Sequence, residues 1–198
     1  MLAAQFPRSR AIFVVTLTVA YLSLLAWQHL NGGVPGHSFL ARDDMPVISN
    51  WWGVLVVPVI TTLLTGRVLA RLKLAGSDHV AADAALRRMS LAFGGALLYG
   101  AAMALMFASG RSEVTSLLFQ ALPVVGFMLP VYRAEYVLGF VLGLTYTFGP
   151  VLPLVIATAV SLVSALLHAV LRPLLARLVR AVAAVLGLAR SPRDTDRL

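Results

Sequence analysis

The fold class this sequence predicts is an all-α integral membrane protein: a compact bundle of about six transmembrane helices. Both termini are expected in the cytoplasm, with an amphipathic helix lying in the interface near the C-terminus. Three observations predict it. Of 198 residues, 60% are apolar and only 12% are charged, about half the charged share of a soluble domain. The apolar residues fall in runs near the roughly 20 residues that cross a bilayer as helix. The basic residues sit in the gaps between those runs. Only helices or closed barrels satisfy the backbone in hydrocarbon, and the alternation of a barrel strand is absent. One helical membrane domain over 1–190 accounts for nearly the whole chain, leaving 191–198 as a disordered cytoplasmic tail.

Composition also excludes several functions. A net charge of +8 would suggest nucleic acid in a soluble chain. Here the cations flank apolar runs, so anionic cytoplasmic lipid is the expected partner, and no nucleic acid. Cysteine is absent, which removes disulfides, thiolate catalysis and cysteine-ligated metals. No zincin, nucleophile-elbow or phosphate-loop motif occurs, nor a pair of intramembrane carboxylates, so no cofactor or metal is expected.

The first span runs from Ala11 to about Gln28 behind Arg8 and Arg10. Its apolar core is too long for a cleaved signal and no small-x-small site follows, so it reads as a retained anchor. The second covers about Asn50–Leu69, the third about Met89–Ala108, the fourth about Thr115–Val131. The fifth, about Ala134–Phe148, is short for a crossing and calls for tilt or local thinning. The sixth runs from Pro150 to about Leu171. Beyond it, Pro173 suits the first turn of a new helix. Arg177 and Arg180 share one face of that segment, opposite leucine and valine, which predicts a helix lying in the interface.

Orientation follows from the cations beside the spans. With the N-terminus inside, the inner segments hold Arg8, Arg10, Arg67, Arg71, Lys73, Arg87, Arg88 and Arg133. The tail adds Arg172, Arg177, Arg180, Arg190, Arg193 and Arg197, and only Arg42 and Arg111 fall outside: fourteen against two. The chain is thus expected as a multi-pass protein of the cell inner membrane. Ser77 is placed to cap the third helix, which starts before it enters lipid, with Asp83 and Arg87 one turn apart.

Small residues recur where helices would touch. Gly139 and Gly143 form GxxxG in the fifth span, and Gly95, Gly100 and Ala104 punctuate the third. Such positions let backbones approach. Packing within the chain is the simpler reading; a homodimer through Gly139 and Gly143 is the other.

The polar candidates cluster at the two ends. The outer segment HLNGGVPGHSFLARDDMPVISN is rich in turn residues and also apolar, so it should fold back over the bundle. His37 with Asp43 or Asp44 suits proton handling. Arg42 with the histidines suits a phosphate head group. His29, His37 and the aspartates suit a divalent metal by ligand type, but match no metal spacing. The plain alternative is a solvated loop. Trp51 and Trp52 suit the membrane boundary behind a Ser49 or Asn50 cap, with Asn50 and Trp51 bordering any pocket below. At the inner end, Arg133 and Glu135 suit ion pairing with each other, with neighbouring helices or with a passing solute, and either becomes a gate candidate if its charge points inward. Pro58, Pro123, Pro130, Pro150 and Pro153 mark possible breaks, Gln120 and Tyr99 interhelical bonds, and His168 a satisfied bundle histidine. The leading specific expectation is a small transporter or channel for a proton, ion or small solute. A non-catalytic assembly partner and a lipid-active enzyme working at the outer interface stand beside it.

Overall fold

The computed structural model describes residues 2–38, 47–74 and 79–185. Helix α1 spans Leu2–Leu30, followed by strands β1 (Gly36–Ser38) and β2 (Val47–Ser49) and a 3-10 turn, Asn50–Trp52. Then come α2 (Gly53–Leu74), α3 (His79–Ala108), α4 (Ser112–Met128), α5 (Ala134–Phe148) and α6 (Val151–Leu166). A π turn, Leu167–Leu171, leads into α7 (Arg172–Val185). The segments holding Ser77, Arg42, Asp43, Asp44 and the expected tail over 191–198 lie outside the described residues.

Four stretches are long and apolar enough to cross a membrane: Arg8–Leu30, Asn50–Lys73, Val80–Ala108 and Val151–Ala184. Helices α4 and α5 are shorter, at 17 and 15 residues. Large apolar side chains stand exposed along the outer faces, among them Ile12, Val19, Leu63, Leu98, Leu117 and Leu162. Such a surface suits hydrocarbon rather than water. From α1 to α6, successive helices reverse direction. Tyr21, Asn50, Phe107 and Phe148 meet at one end; Arg71, Glu135 and the α4 C-terminus with Arg172 meet at the other. The first is called here the hairpin end and the second the basic end.

The shortness of α5 has a packing cause. It lies at the centre, packed most extensively on α3 and also on α6 and α2. Leu138, Phe140, Val141 and Leu144 on it are buried. At about 1.5 Å per residue it reaches only about 22 Å, but a helix sheathed by protein need not match the bilayer. Tilt or thinning is not required to explain it. The α3–α5 contact is built on glycine. A Cβ at Gly100 would stand 2.7 Å from the Phe140 carbonyl and 3.2 Å from Gly143 Cα. Gly139 and Gly143 in turn face the Phe93 and Leu97 carbonyls of α3. Within this chain, the GxxxG of α5 is packed against α3.

Two apolar clusters hold the bundle. Ile60, Met103, Ala104, Leu122, Phe140, Val141, Leu144 and Ala157 form the larger, and Tyr21, Leu25 and Val57 join α1 to α2. Near the basic end, Arg10 of α1 donates to the Thr62 carbonyl at 2.6 Å and to Thr65 Oγ1 at 3.3 Å.

At the C-terminus Pro173 lies in the first turn of α7, as expected, but no loop separates α7 from α6. The helix runs on through the π turn, where the Arg172 amide donates to the Leu167 carbonyl five residues back. The cause is Pro173, whose missing amide leaves the Ala169 carbonyl without its α-helical donor, so the backbone shifts register ahead of it. The shift has a consequence for side chains. Ser164 and Arg172, eight apart, would diverge by about 80° on an unbroken α-helix, and one π turn takes back roughly one residue of rotation. Both then meet the frayed end of α4. Ser164 Oγ donates to the Gly126 carbonyl at 2.7 Å and approaches that of Leu129 at 3.3 Å. Arg172 donates to the Phe127 and Met128 carbonyls at 3.1 and 2.9 Å. The open carbonyls of that helix end, those of Gly126, Phe127 and Met128, are thus capped from α6 and α7, and a cation stands where the helix dipole favours one.

Candidate functional site

Helix α4 leans on α3 and α6 but makes little backbone approach to α5. Tyr99 Oη ties it to α3, donating to the Leu118 carbonyl at 2.5 Å. That carbonyl neighbours Phe119, whose α-helical donor is missing at Pro123. The expectation that Tyr99 bonds across helices is met. Between α4 and α5 a slot remains, because Gly95, Ala96 and Ala157 on the flanking helices carry little bulk.

The slot holds two cavities. One, of about 330 Å³, lies toward the basic end and is lined by Tyr99, Val125, Leu129, Tyr136, Phe140 and Ser161 among others. The second, of about 350 Å³, lies toward the hairpin end against Phe107, Thr115, Gln120, Phe140, Leu144 and Phe148. Phe140 borders both, with its ring 6.5 Å from that of Tyr99. No charged side chain lines either cavity among the described residues. A bare ion there would lose its hydration without a counter-charge.

At the basic end, Glu135 is only 4% exposed. It forms an ion pair with Arg71, from the last turn of α2, whose side chain keeps 32% exposure. Glu135 also sits in the first turn of α5, where the helix dipole favours an anion. Arg133 is exposed at the N-cap of α5 and makes no capping bond. Of the pairings expected, Glu135 takes the one with a neighbouring helix, while Arg133 is exposed at the start of α5. Arg71 was counted in the sequence for orientation alone. A lone acid opening a short, buried helix was the signal that a cation from another span must reach it.

His168 sits in the π turn, its Nδ1 2.8 Å from the Ser164 carbonyl and its ring edge-on to Tyr132 at 5.6 Å. Its Nε2 is buried with no partner among the described residues.

At the hairpin end, β1 and β2 pair antiparallel, with His37 opposite Ile48. The Asn50 amide donates to the Pro35 carbonyl at 3.1 Å, and Tyr21 Oη donates to the Asn50 carbonyl at 2.7 Å. Asn50 is only 4% exposed, and its side chain occupies the space a Cβ on Gly149 would need. Ser49, not Asn50, caps the 3-10 turn, its hydroxyl accepting from the Trp51 amide at 3.3 Å. Trp51 and Trp52 are exposed, and Trp51 stacks edge-on with His29. The base of the loop between α1 and α2 is therefore fixed to α1, α2 and the α5–α6 turn. Arg42, Asp43 and Asp44 belong to the part outside the described residues. No three metal-ligating side chains gather among the described residues.

Compared with protein-family models, with curated proteins and with solved structures, the chain matches none.

Proposed function

We propose that this chain is a six-span protein of the inner membrane, its basic end cytoplasmic, that binds an amphiphile by its apolar part. The bound chain or ring occupies the slot between α4 and α5. One observation carries this reading: two cavities in series, of about 330 and 350 Å³, are walled almost wholly by apolar and aromatic groups. Each is at the small end of ligand pockets, which run from about 300 to 1,000 Å³. The lining disfavours a proton or ion, because neither cavity offers a charge and Glu135 is already neutralised by Arg71. A purely apolar solute needs no protein to enter a bilayer. An amphiphile fits both facts, with hydrocarbon in the slot and a polar head at an end.

Transport is the second reading, favoured by the position of Phe140. Phe140 lines both cavities, so a solute passing from one to the other would move along its side chain.

The test is photolabelling of the purified full chain with a diazirine-bearing fatty acid, mapped by mass spectrometry. Labels should concentrate on Tyr99, Val125, Leu129, Tyr136 and Phe140. They should fall at least several-fold in Gly95→Leu, where the added side chain enters open space rather than backbone. Labelling confined to outer residues such as Leu98 and Leu117, and unchanged by that substitution, would sink the proposal.

A further inference from the structure

Among the described residues nothing covers the apolar side of α7: Leu174, Leu175, Leu178, Val179 and Val182 are all exposed. At about 100° per residue they span roughly 140° of the helix, and Arg177 and Arg180 lie on the opposite side. The helix makes its main contacts with the π turn before it. Length separates it from the crossing. The 16 residues of α6 and 5 of the π turn extend about 30 Å, the thickness of the hydrocarbon. Arg172, the first residue of α7, then stands at the boundary, held by the Phe127 and Met128 carbonyls, and the rest of α7 lies beyond it. Exposed cations crowd the same end of the bundle: Arg67, Lys73, Arg87, Arg88 and Arg133.

We infer that α7 is a docking surface for the anionic headgroups of the leaflet at the basic end. Its leucine and valine stripe seats at the acyl boundary, with Arg177 and Arg180 directed to lipid phosphates. A helix projecting straight into water would leave five large apolar side chains wet. One lying flat buries them and gains the attraction of the surface potential. The π turn and Pro173 supply the place to bend, because the backbone bonds there are already out of α-helical register.

The chain has no cysteine, so single nitroxide labels can be placed by Leu178→Cys on the stripe and Ala184→Cys on the other side. The full-length protein is reconstituted in phosphatidylcholine vesicles with and without a quarter phosphatidylglycerol. Collision with oxygen and with a water-soluble nickel chelate is then measured. In the anionic vesicles the label at 178 should be shielded from nickel several-fold more than the label at 184. Replacing Arg177 and Arg180 by Gln should lower the docked-to-free ratio about thirty-fold, from about 1 kcal/mol per arginine. High salt should act in the same direction. Equal nickel access at 178 and 184 in anionic vesicles overturns the proposal. So does shielding at 178 that is unchanged in neutral vesicles and survives the double replacement, since a second copy of the chain would then be covering the stripe.

Discussion

The α3–α5 contact yields the sharpest prediction, because one helix carries both the test and its control. At Gly100 an added Cβ would lie 2.7 Å from the Phe140 carbonyl and 3.2 Å from Gly143 Cα, where ordinary contact begins at 3.4 Å. The shortfall of about 0.7 Å falls on backbone atoms, which cannot swing aside as a side-chain tip can, so α3 and α5 must separate. At Gly94, on the same helix, a Cβ meets nothing within 4 Å. Gly94→Ala and Gly100→Ala gain the same helix propensity, about 1 kcal/mol at most, so it cancels in the comparison. What remains is the overpacking cost, and Gly100→Ala should be less stable than Gly94→Ala by about 1–3 kcal/mol. The measurement is unfolding in mixed detergent micelles followed by the native Trp27, Trp51 and Trp52 fluorescence. Equal stability of the two variants, or a more stable Gly100→Ala, would refute close backbone packing of α5 on α3.

Two further predictions address the ends of the bundle. Arg71→Gln strands the Glu135 carboxylate in the interior, whereas Glu135→Gln leaves an arginine that keeps 32% exposure to solvent. Arg71→Gln should therefore destabilise more, though by less than the roughly 3–5 kcal/mol lost when a fully buried pair is broken. The reverse ranking in the same unfolding assay would contradict the pairing. At the hairpin end, Gly149 has φ +66° and faces the Asn50 side chain, while Gly33 has φ +101° with open space around it. Both alanine variants carry backbone strain of about 1–3 kcal/mol, but only Gly149→Ala should be partly rescued by adding Asn50→Ala. Equal melting temperatures for Gly149→Ala with and without Asn50→Ala would argue against that contact.

These contacts join the ends of the molecule to its middle. Arg71 and Glu135 fix the start of α5, Asn50 fixes the turn after it, and the glycines seat it on α3. Helix α4 is held differently, by Tyr99 at mid-height and by Ser164 and Arg172 at its end. That leaves room beneath it, and the slot is the result.

Much was readable from composition and order alone. In hydrocarbon a helix pairs its backbone within its own segment, so long apolar runs without strand alternation mark helices directly. The bounds of the fifth segment, Ala134–Phe148, coincide with α5. Ser49 and the tryptophans after it likewise report a local preference for a cap and a boundary. Partners were another matter. That Glu135 reaches Arg71, 64 positions away, that Gly139 and Gly143 face α3, and that Phe140 borders two cavities depend on how helices cross. Periodicity along one helix says which residues are apolar, not which neighbour they meet. The π turn shows the same division: Pro173 is plain in the sequence as a break in bonding. Only the packed bundle decides that the break turns Arg172 toward the open carbonyls of α4, because α6 must first lie against that helix end.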